Sequence, residues 1–193
     1  MNDLLNQRPN MVVLAGPNGA GKTSFFRAYL ESSGLRFINA DVLAQQLELD
    51  PYRAAGLAEA LLRQLVEQGE SLIFETVFSD PVGDKLAFIK EVQARGYTVV
   101  LFFIGIASPQ LSDDRIAMRV SKGGHDVPPD KVIARFPRVM HNLHRALAEL
   151  DNVRVYDNSD LKRPYRLVAL RKAGRAIEVQ GPVPEWLRPL LPK

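Results

Sequence analysis

Short apolar runs of strand length alternate along this chain with longer amphipathic stretches of helical spacing. The apolar runs are rich in β-branched and aromatic residues, which favours strands, whereas the stretch after Pro51 repeats leucine on one helix face. This alternation predicts an α/β fold with three layers, in which a mostly parallel central sheet carries helices on both faces. The run at 97–104 is wholly apolar after Thr98, so we expect it to be a central strand, buried on both faces.

The same pattern predicts the order of the elements. Strands are expected at 11–15, 36–39, 71–74, 97–104 and 153–156. Helices are expected at about 22–32, 41–47, 51–68, 80–95, 109–121 and 130–150. A β-hairpin with strands at 166–171 and 176–179 and a short helix at 185–191 are expected to follow them.

The turn between the first strand and the first helix carries a complete phosphate-binding motif, G-x-x-x-x-G-K-[ST]. Its glycines let successive backbone N–H groups point into one concavity, and the following helix adds the positive end of its dipole. We expect Lys22 to reach the β- and γ-phosphates and the Thr23 hydroxyl to bind Mg²⁺. The sequence therefore predicts a P-loop for ATP and Mg²⁺. The predicted nucleotide-binding residues are Gly16, Pro17, Asn18, Gly19, Ala20, Gly21, Lys22, Thr23 and Ser24.

Acidic residues follow three of the predicted strands, at the edge of the sheet where α/β folds bind ligands: Asp41, Glu75 and Asp157. Phosphoryl transfer to a hydroxyl needs a carboxylate that orients the acceptor and takes its proton, together with cations around the phosphate. Asp41 follows the second strand, a suitable place for that base, although aspartate is also a common helix N-cap. Glu75 could bind the acceptor hydroxyl or hold a Mg²⁺-bound water, with Thr76 as a neutral hydrogen-bonding group beside it.

The segment 115–136 combines arginines with a glycine pair. Arg119 precedes Gly123-Gly124 by four residues, and Arg135 lies in the predicted helix after the pair. A glycine pivot between helices that carry arginines is typical of a lid that closes over a phosphoryl group. An ordinary loop with solvated charges is the alternative. His125 could contact nucleotide or substrate, or order the loop through a hydrogen bond.

Four segments together resemble the zeta-toxin family of P-loop kinases, in particular its short single-domain, UDP-N-acetylglucosamine kinase-like members. They are the P-loop, Phe37-Ile38-Asn39-Ala40-Asp41, Phe74-Glu75-Thr76, and the segment 119–128 with Arg135-Phe136 after it. The third segment ends in Glu75-Thr76, so a separate Walker B aspartate is not evident.

The resemblance implies a kinase that uses ATP and Mg²⁺ to phosphorylate a hydroxyl of a small molecule. In toxin members this hydroxyl belongs to UDP-N-acetylglucosamine, and an antitoxin-like inhibitor is a partner that one chain cannot reveal. The resemblance implies that Asp41 is the general base and that Lys22 and Thr23 are phosphate and Mg²⁺ ligands. It implies that Glu75 and Thr76 are substrate or metal contacts. Arg119 and Arg135 are implied to be lid cations.

Composition bears on location and partners. The chain has no cysteine, no apolar run near the ~20 residues of a membrane span, and no apolar secretory core at 1–10, so we expect a cytoplasmic protein without a membrane partner. Residues 161–193 hold eight Lys and Arg against two Glu, in a chain of net charge +3. Few aromatic residues interleave with these charges, so we expect a solvated face and no nucleic-acid partner.

Two other functions fit the same P-loop. The basic C-terminal third would suit a nucleoside, nucleotide or polynucleotide kinase, and the P-loop alone would suit an ATPase that acts on a protein partner. Under the preferred interpretation, residues 1–193 form one P-loop kinase-like domain. Its lid lies at about 115–136, and its basic hairpin and helix lie at about 162–193.

Overall fold

The computed structural model describes residues 8–121 and 127–191, with only the backbone of Arg119. Within this part of the chain the strands form one seven-stranded sheet, in the order β2-β3-β1-β4-β5-β6-β7. Strands β1 to β5 are parallel, β6 is antiparallel to β5, and β7 is antiparallel to β6. The strands are β1 (Asn10–Ala15), β2 (Arg36–Ile38), β3 (Leu72–Thr76), β4 (Thr98–Gly105), β5 (Val153–Asp157), β6 (Arg166–Arg171) and β7 (Glu178–Val179).

Helices connect the parallel strands. They are α1 (Lys22–Phe25), α2 (Ala40–Gln46), α3 (Pro51–Glu67), α4 (Asp84–Ala94), α5 (Pro109–Val120) and α6 (Pro129–Glu149). Among the described residues, none of these helices is long and apolar enough to cross a bilayer.

Strand β1 shows how the sheet separates two hydrophobic cores. Its side chains are fully buried and alternate in direction. Val12 and Leu14 pack in one core with Phe25 of α1, while Met11, Val13 and Ala15 pack in the larger core with α3, α4 and α6. This confirms the predicted three-layer α/β architecture. It also confirms the central position expected for β4, which is fourth among seven strands.

Two predicted helices differ from the structure. The helix expected at 22–32 is regular only as far as Phe25; it continues as a wider π-helical turn, Phe26–Leu30, and a 3₁₀ turn, Glu31–Ser33. The helix expected at 185–191 was wrong, since only a 3₁₀ turn at Arg188–Leu190 forms. The prolines in and around that segment lack the N–H donors that a longer helix requires.

Basic residues of the C-terminal part have structural roles in this fold. The Arg166 guanidinium donates to the Asp157 carboxylate at 3.2 Å and to the Pro182 carbonyl at 2.7 Å. Arg171 donates to the carbonyls of Leu147 and Ala148 at the end of α6, where a cation also complements the helix dipole. Part of the C-terminal positive charge therefore stabilises the fold.

Candidate active site

The turn from β1 to α1 folds as a P-loop because three glycines adopt backbone angles that other residues avoid. The φ angles of Gly16, Gly19 and Gly21 are +143°, +70° and +91°. Space is short as well, since a Cβ atom at Gly19 would lie 2.5 Å from the Ser112 carbonyl oxygen. The glycine spacing of the motif is thus required by both backbone conformation and packing.

Lys22 begins α1 and places a buried cation beneath this loop. Its side chain is 7% exposed, and its Nζ donates to the carbonyls of Gly16 and Pro17, both at 3.0 Å. The same Nζ lies 3.9 Å from Oε1 of Glu75. The buried ammonium is therefore compensated by loop carbonyls and by one carboxylate, at the end of the loop where phosphates would bind.

Glu75 reaches the P-loop because β3 is the strand next to β1. The two strands are parallel and in register, with Leu14 opposite Glu75. Oε2 of Glu75 accepts a hydrogen bond of 3.2 Å from the Thr23 hydroxyl. Burial raises the pKa of the Glu75 carboxyl above its usual value, and the Lys22 ammonium and the Thr23 hydroxyl oppose part of that rise.

The Thr23 and Glu75 side chains form a donor set that fits Mg²⁺. A hydroxyl and a carboxylate are hard oxygen ligands, and Mg²⁺ in P-loop proteins keeps several waters and phosphate oxygens as its other ligands. Glu75, which the sequence analysis named as a residue that could hold a Mg²⁺-bound water, thus lies beside the threonine expected to bind Mg²⁺.

Asp41 lies in the first turn of α2 but is not its N-cap. The Asn39 side chain takes that role, with Oδ1 accepting from the backbone N–H groups of Asp41 at 2.8 Å and of Val42 at 3.2 Å. The Asp41 carboxylate is thus not needed to cap the helix. It is close enough to Glu75 for its negative charge to add to the raised pKa of that residue.

A cavity of about 520 Å³ lies beside the P-loop at the carboxyl edge of the sheet. Its lining includes Asn18 of the P-loop, Asp41 of α2, Glu75 and Thr76 at the end of β3, and Arg135 of α6. The structure therefore brings five of the predicted site residues together in a space large enough for a small-molecule ligand.

Of the three residues predicted in the lid, Arg135 is the one whose side chain the structure describes. Arg135 is half-buried and lines the cavity together with Lys131, one helical turn before it. The sequence prediction missed Lys131, although its spacing of four residues from Arg135 on a helix would have suggested it. Arg119 lies near the end of α5, with its side chain outside the described part of the chain, and His125 lies outside it altogether.

Asp157 ends β5 as predicted but does not line the cavity. Its carboxylate accepts hydrogen bonds from Ser159, from Arg166 and, at 3.0 Å, from the indole N–H of Trp186. Burial alone would raise the pKa of Asp157, but the hydrogen bonds from Ser159, Trp186 and Arg166 outweigh it, so the pKa lies below the usual value. Trp186 therefore holds this carboxylate in addition to packing against Phe103.

Three side chains that the sequence prediction missed donate hydrogen bonds to the backbone of the P-loop. They are Ser112 in α5, Asn158 after β5 and Tyr165 before β6, and they donate to the carbonyls of Asn18, Ala20 and Gly21 respectively. Their partners lie 94, 138 and 144 residues away in sequence, so no local pattern could have revealed them.

Comparison with protein families gives one match, to the family model described as Zeta toxin, over residues 52–167. This range covers more than half of the chain and includes Glu75, Thr76 and Arg135, whereas the P-loop and Asp41 precede it. No curated protein matches the sequence.

Solved structures share the fold at low sequence identity. A chain of the AvrRxo1-ORF1:-ORF2 complex crystallised with ATP aligns with a TM-score of 0.72 and 19% identity, over 91% of this chain and 61% of that one. A chain of the PezAT chromosomal toxin–antitoxin system of Streptococcus pneumoniae aligns with a TM-score of 0.59 and 21% identity, over 78% and 69%. The present chain thus spans about three fifths of the length of the AvrRxo1 chain.

Proposed function

The chain belongs to the zeta toxin family and has a P-loop kinase fold, and from this premise we propose that it transfers the γ-phosphoryl group of ATP to a hydroxyl of a small molecule. The observation that carries the proposal is the cavity beside the P-loop, which is lined by several of the predicted site residues. It presents a carboxylate, Asp41, and a cation, Arg135, next to the buried Lys22, Thr23 and Glu75. A base, a cation and a phosphate cradle are the parts that phosphoryl transfer requires.

The P-loop and Lys22 bind and orient the phosphates. Backbone N–H groups of the loop and the positive end of α1 face the phosphate oxygens, and the Lys22 ammonium lies beside the β- and γ-phosphates. Mg²⁺, when bound, neutralises charge on the phosphate oxygens. Thr23 would bind the ion directly, and Glu75 would bind it either directly or through a metal-bound water.

Asp41 acts on the acceptor. Its carboxylate orients the acceptor hydroxyl and takes the proton as the hydroxyl oxygen forms its bond to the γ-phosphorus. The bond from the γ-phosphorus to the β,γ-bridging oxygen breaks, and ADP leaves with that electron pair. Arg135, with Arg119 of the lid predicted at about 115–136, stabilises the charge that spreads over the transferred group.

A sugar nucleotide such as UDP-N-acetylglucosamine is the first acceptor to test. Family membership supports it, and a cavity of about 520 Å³ lined by both acidic and basic side chains suits a polar acceptor. As a partner, we propose an inhibitor protein, because one similar structure belongs to a toxin–antitoxin system. Both the acceptor and the inhibitor protein extend the kinase proposal, and either assignment can be wrong while the kinase proposal is right.

The experiment measures transfer of radiolabelled γ-phosphate from ATP, with Mg²⁺, to UDP-N-acetylglucosamine, other sugar nucleotides, nucleosides and oligonucleotides. Asp41→Asn should slow transfer by about 10²–10⁴-fold while ATP affinity stays unchanged. Asp84→Asn is the matched control, since Asp84 is also an acidic first-turn residue but lies outside the cavity lining.

Other outcomes identify the alternatives. Unchanged turnover by Asp41→Asn would remove the assigned base. Salt-sensitive phosphorylation of oligonucleotides alone would favour a polynucleotide kinase. ATP hydrolysis that ignores every acceptor and requires an added protein would favour a partner-dependent ATPase.

A further inference from the structure

Three side chains, Ser112, Asn158 and Tyr165, hold the P-loop, and we call them the brace. They donate hydrogen bonds to the backbone carbonyls of Asn18, Ala20 and Gly21 respectively. Lys22 meanwhile holds the carbonyls of Gly16 and Pro17. Side-chain donors thus reach the carbonyls of residues 16, 17, 18, 20 and 21.

Asn158 is the central member of the brace. It is 4% exposed, and its Nδ2 donates to the Ala20 carbonyl at 2.8 Å. Its own backbone N–H donates to the Gly105 carbonyl at 2.8 Å, which ties it to the end of β4. Asn158 therefore connects the P-loop to the rigid carboxyl edge of the sheet through bonds at both its side chain and its backbone.

Tyr165 completes the brace and is held in place by Asn158. Its hydroxyl donates to the Gly21 carbonyl at 3.0 Å, and its backbone N–H donates to Oδ1 of Asn158 at 3.3 Å. Its ring packs edge-on against the rings of Phe25 and Tyr29, with distances between ring centroids of 5.2 Å and 5.8 Å respectively. These contacts hold Tyr165 at a φ of +54°, which a non-glycine residue adopts only when its surroundings impose it.

Gly21 fits between the two side chains. A Cβ atom there would lie 2.8 Å from Nδ2 of Asn158 and 2.9 Å from the Tyr165 hydroxyl. Gly21, the second glycine of the G-x-x-x-x-G-K-[ST] motif, is thus required by the packing of two side chains as well as by its left-handed backbone.

A carbonyl and the N–H of the next residue point in opposite directions across a planar trans peptide. When the brace holds the carbonyls of Asn18, Ala20 and Gly21, it also fixes the N–H groups of Gly19, Gly21 and Lys22, which point the opposite way across each peptide. Successive N–H groups held in this way form an anion-binding nest.

We propose that Asn158 and Tyr165 are positioning residues that pre-organise the P-loop for the phosphates of ATP. This inference rests on the proposed function for its biological meaning, although phosphate affinity tests it directly. A loop already held in its binding geometry does not lose conformational freedom when the phosphates bind, so loss of the brace weakens their binding.

Two variants remove brace hydrogen bonds with little change of shape. Tyr165→Phe deletes the hydroxyl and keeps the ring. Asn158→Asp keeps the acceptor for the Tyr165 N–H but presents a carboxylate oxygen to the Ala20 carbonyl in place of a donor. Tyr29→Phe is the matched control, because it removes a hydroxyl that makes none of the brace hydrogen bonds and keeps the ring that packs against Tyr165.

Isothermal titration calorimetry with ATP and with inorganic tripolyphosphate, at fixed Mg²⁺, gives the affinities, and a thermal melt of each variant gives its stability. Tyr165→Phe should weaken both ligands by about 3–10-fold. Asn158→Asp should weaken both by about 10-fold or more, since a charged acceptor then faces a carbonyl. Tyr29→Phe should stay within about 2-fold of wild type.

An equal loss for ATP and tripolyphosphate supports the proposal, because the brace acts on the phosphate cradle. A loss confined to ATP overturns it in favour of a contact with the base or ribose. Wild-type affinity in Tyr165→Phe, with or without a lower melting temperature, also overturns it, and this variant decides the matter if Asn158→Asp does not fold. Brace-dependent binding without phosphoryl transfer would refute the kinase proposal alone, whereas a wild type that binds neither ligand would refute both.

Discussion

The Thr23 hydroxyl and the Glu75 carboxylate meet at 3.2 Å, which joins the first turn of α1 to the end of β3. The two residues are 52 positions apart in sequence, and their contact exists because β3 pairs directly with the strand that enters the P-loop. The Lys22 ammonium lies 3.9 Å from the other carboxylate oxygen. Glu75 therefore interacts with both side chains of the Lys-Thr pair that ends the motif.

Replacement of Glu75 by glutamine should weaken the use of Mg²⁺. The amide keeps the shape but loses the negative charge that would support the metal, so the apparent Mg²⁺ affinity in a phosphoryl-transfer assay should fall by about 10–100-fold. Glu59→Gln is the control, because Glu59 lines the same cavity but pairs with Lys85, at 3.0 Å. An unchanged Mg²⁺ titration for Glu75→Gln would show that this carboxylate does not support the metal.

Arg135→Gln should slow phosphoryl transfer without abolishing ATP binding. The half-buried guanidinium lines the cavity and is placed to stabilise charge that develops on the transferred group, so kcat should fall by about 10²-fold or more. Steady-state kinetics give kcat, and calorimetry gives ATP affinity. Arg138→Gln, which changes an exposed arginine of the same helix outside the cavity lining, should keep wild-type kcat. Equal effects of the two variants would contradict a role specific to Arg135.

Asp157→Asn should destabilise the protein by about 2 kcal/mol at neutral pH, because it leaves the partly buried Arg166 and Trp186 donors without their charged partner. Urea unfolding measures this difference. Glu91→Gln, which breaks an exposed ion pair with Arg95 within one helix, should cost less than about 1 kcal/mol. A comparable loss in both variants would mean that burial adds nothing to the Asp157 contacts.

The contribution of Asp157 should also depend on pH, with a sign set by its lowered pKa. The folded-state pKa of Asp157 lies below the usual value of an aspartate, so the carboxylate stabilises the fold above about pH 4 and loses that effect as the pH falls through the folded-state pKa. The stability difference between wild type and Asp157→Asn should therefore shrink in acid. A difference that stays constant from pH 7 to pH 3 would exclude this linkage.

Asn142→Leu should loosen the loop that forms one wall of the cavity. Asn142 is 3% exposed, and its Nδ2 donates to the carbonyls of Phe78 and Asp80, both at 3.0 Å. Phe78 itself holds a φ of +63°, so the amide supports a strained turn. The variant should lose about 2 kcal/mol of unfolding free energy, because buried carbonyls lose their donor. His141→Leu, an exposed neighbour on the same helix, should change stability by less than about 0.5 kcal/mol.

The sequence predicted the features that depend on contiguous residues. The P-loop is one, because its shape follows from glycine backbone angles and from the helix that starts at Lys22. The strands and most helices are others, since buried apolar runs and caps are local signals. Local signals failed at 185–191, where we expected a short helix that the prolines prevent.

Only the tertiary structure decided which distant residues serve the P-loop. The order β2-β3-β1-β4-β5 puts Glu75 against Thr23 and brings the Asn158 side chain to the Ala20 carbonyl of the P-loop. The packing of α6 brings Arg135 into the cavity that Asp41 lines. These contacts depend on which strands are neighbours and on how helices pack across them, and a single sequence determines such relationships through the whole folded core rather than through any pattern along the chain.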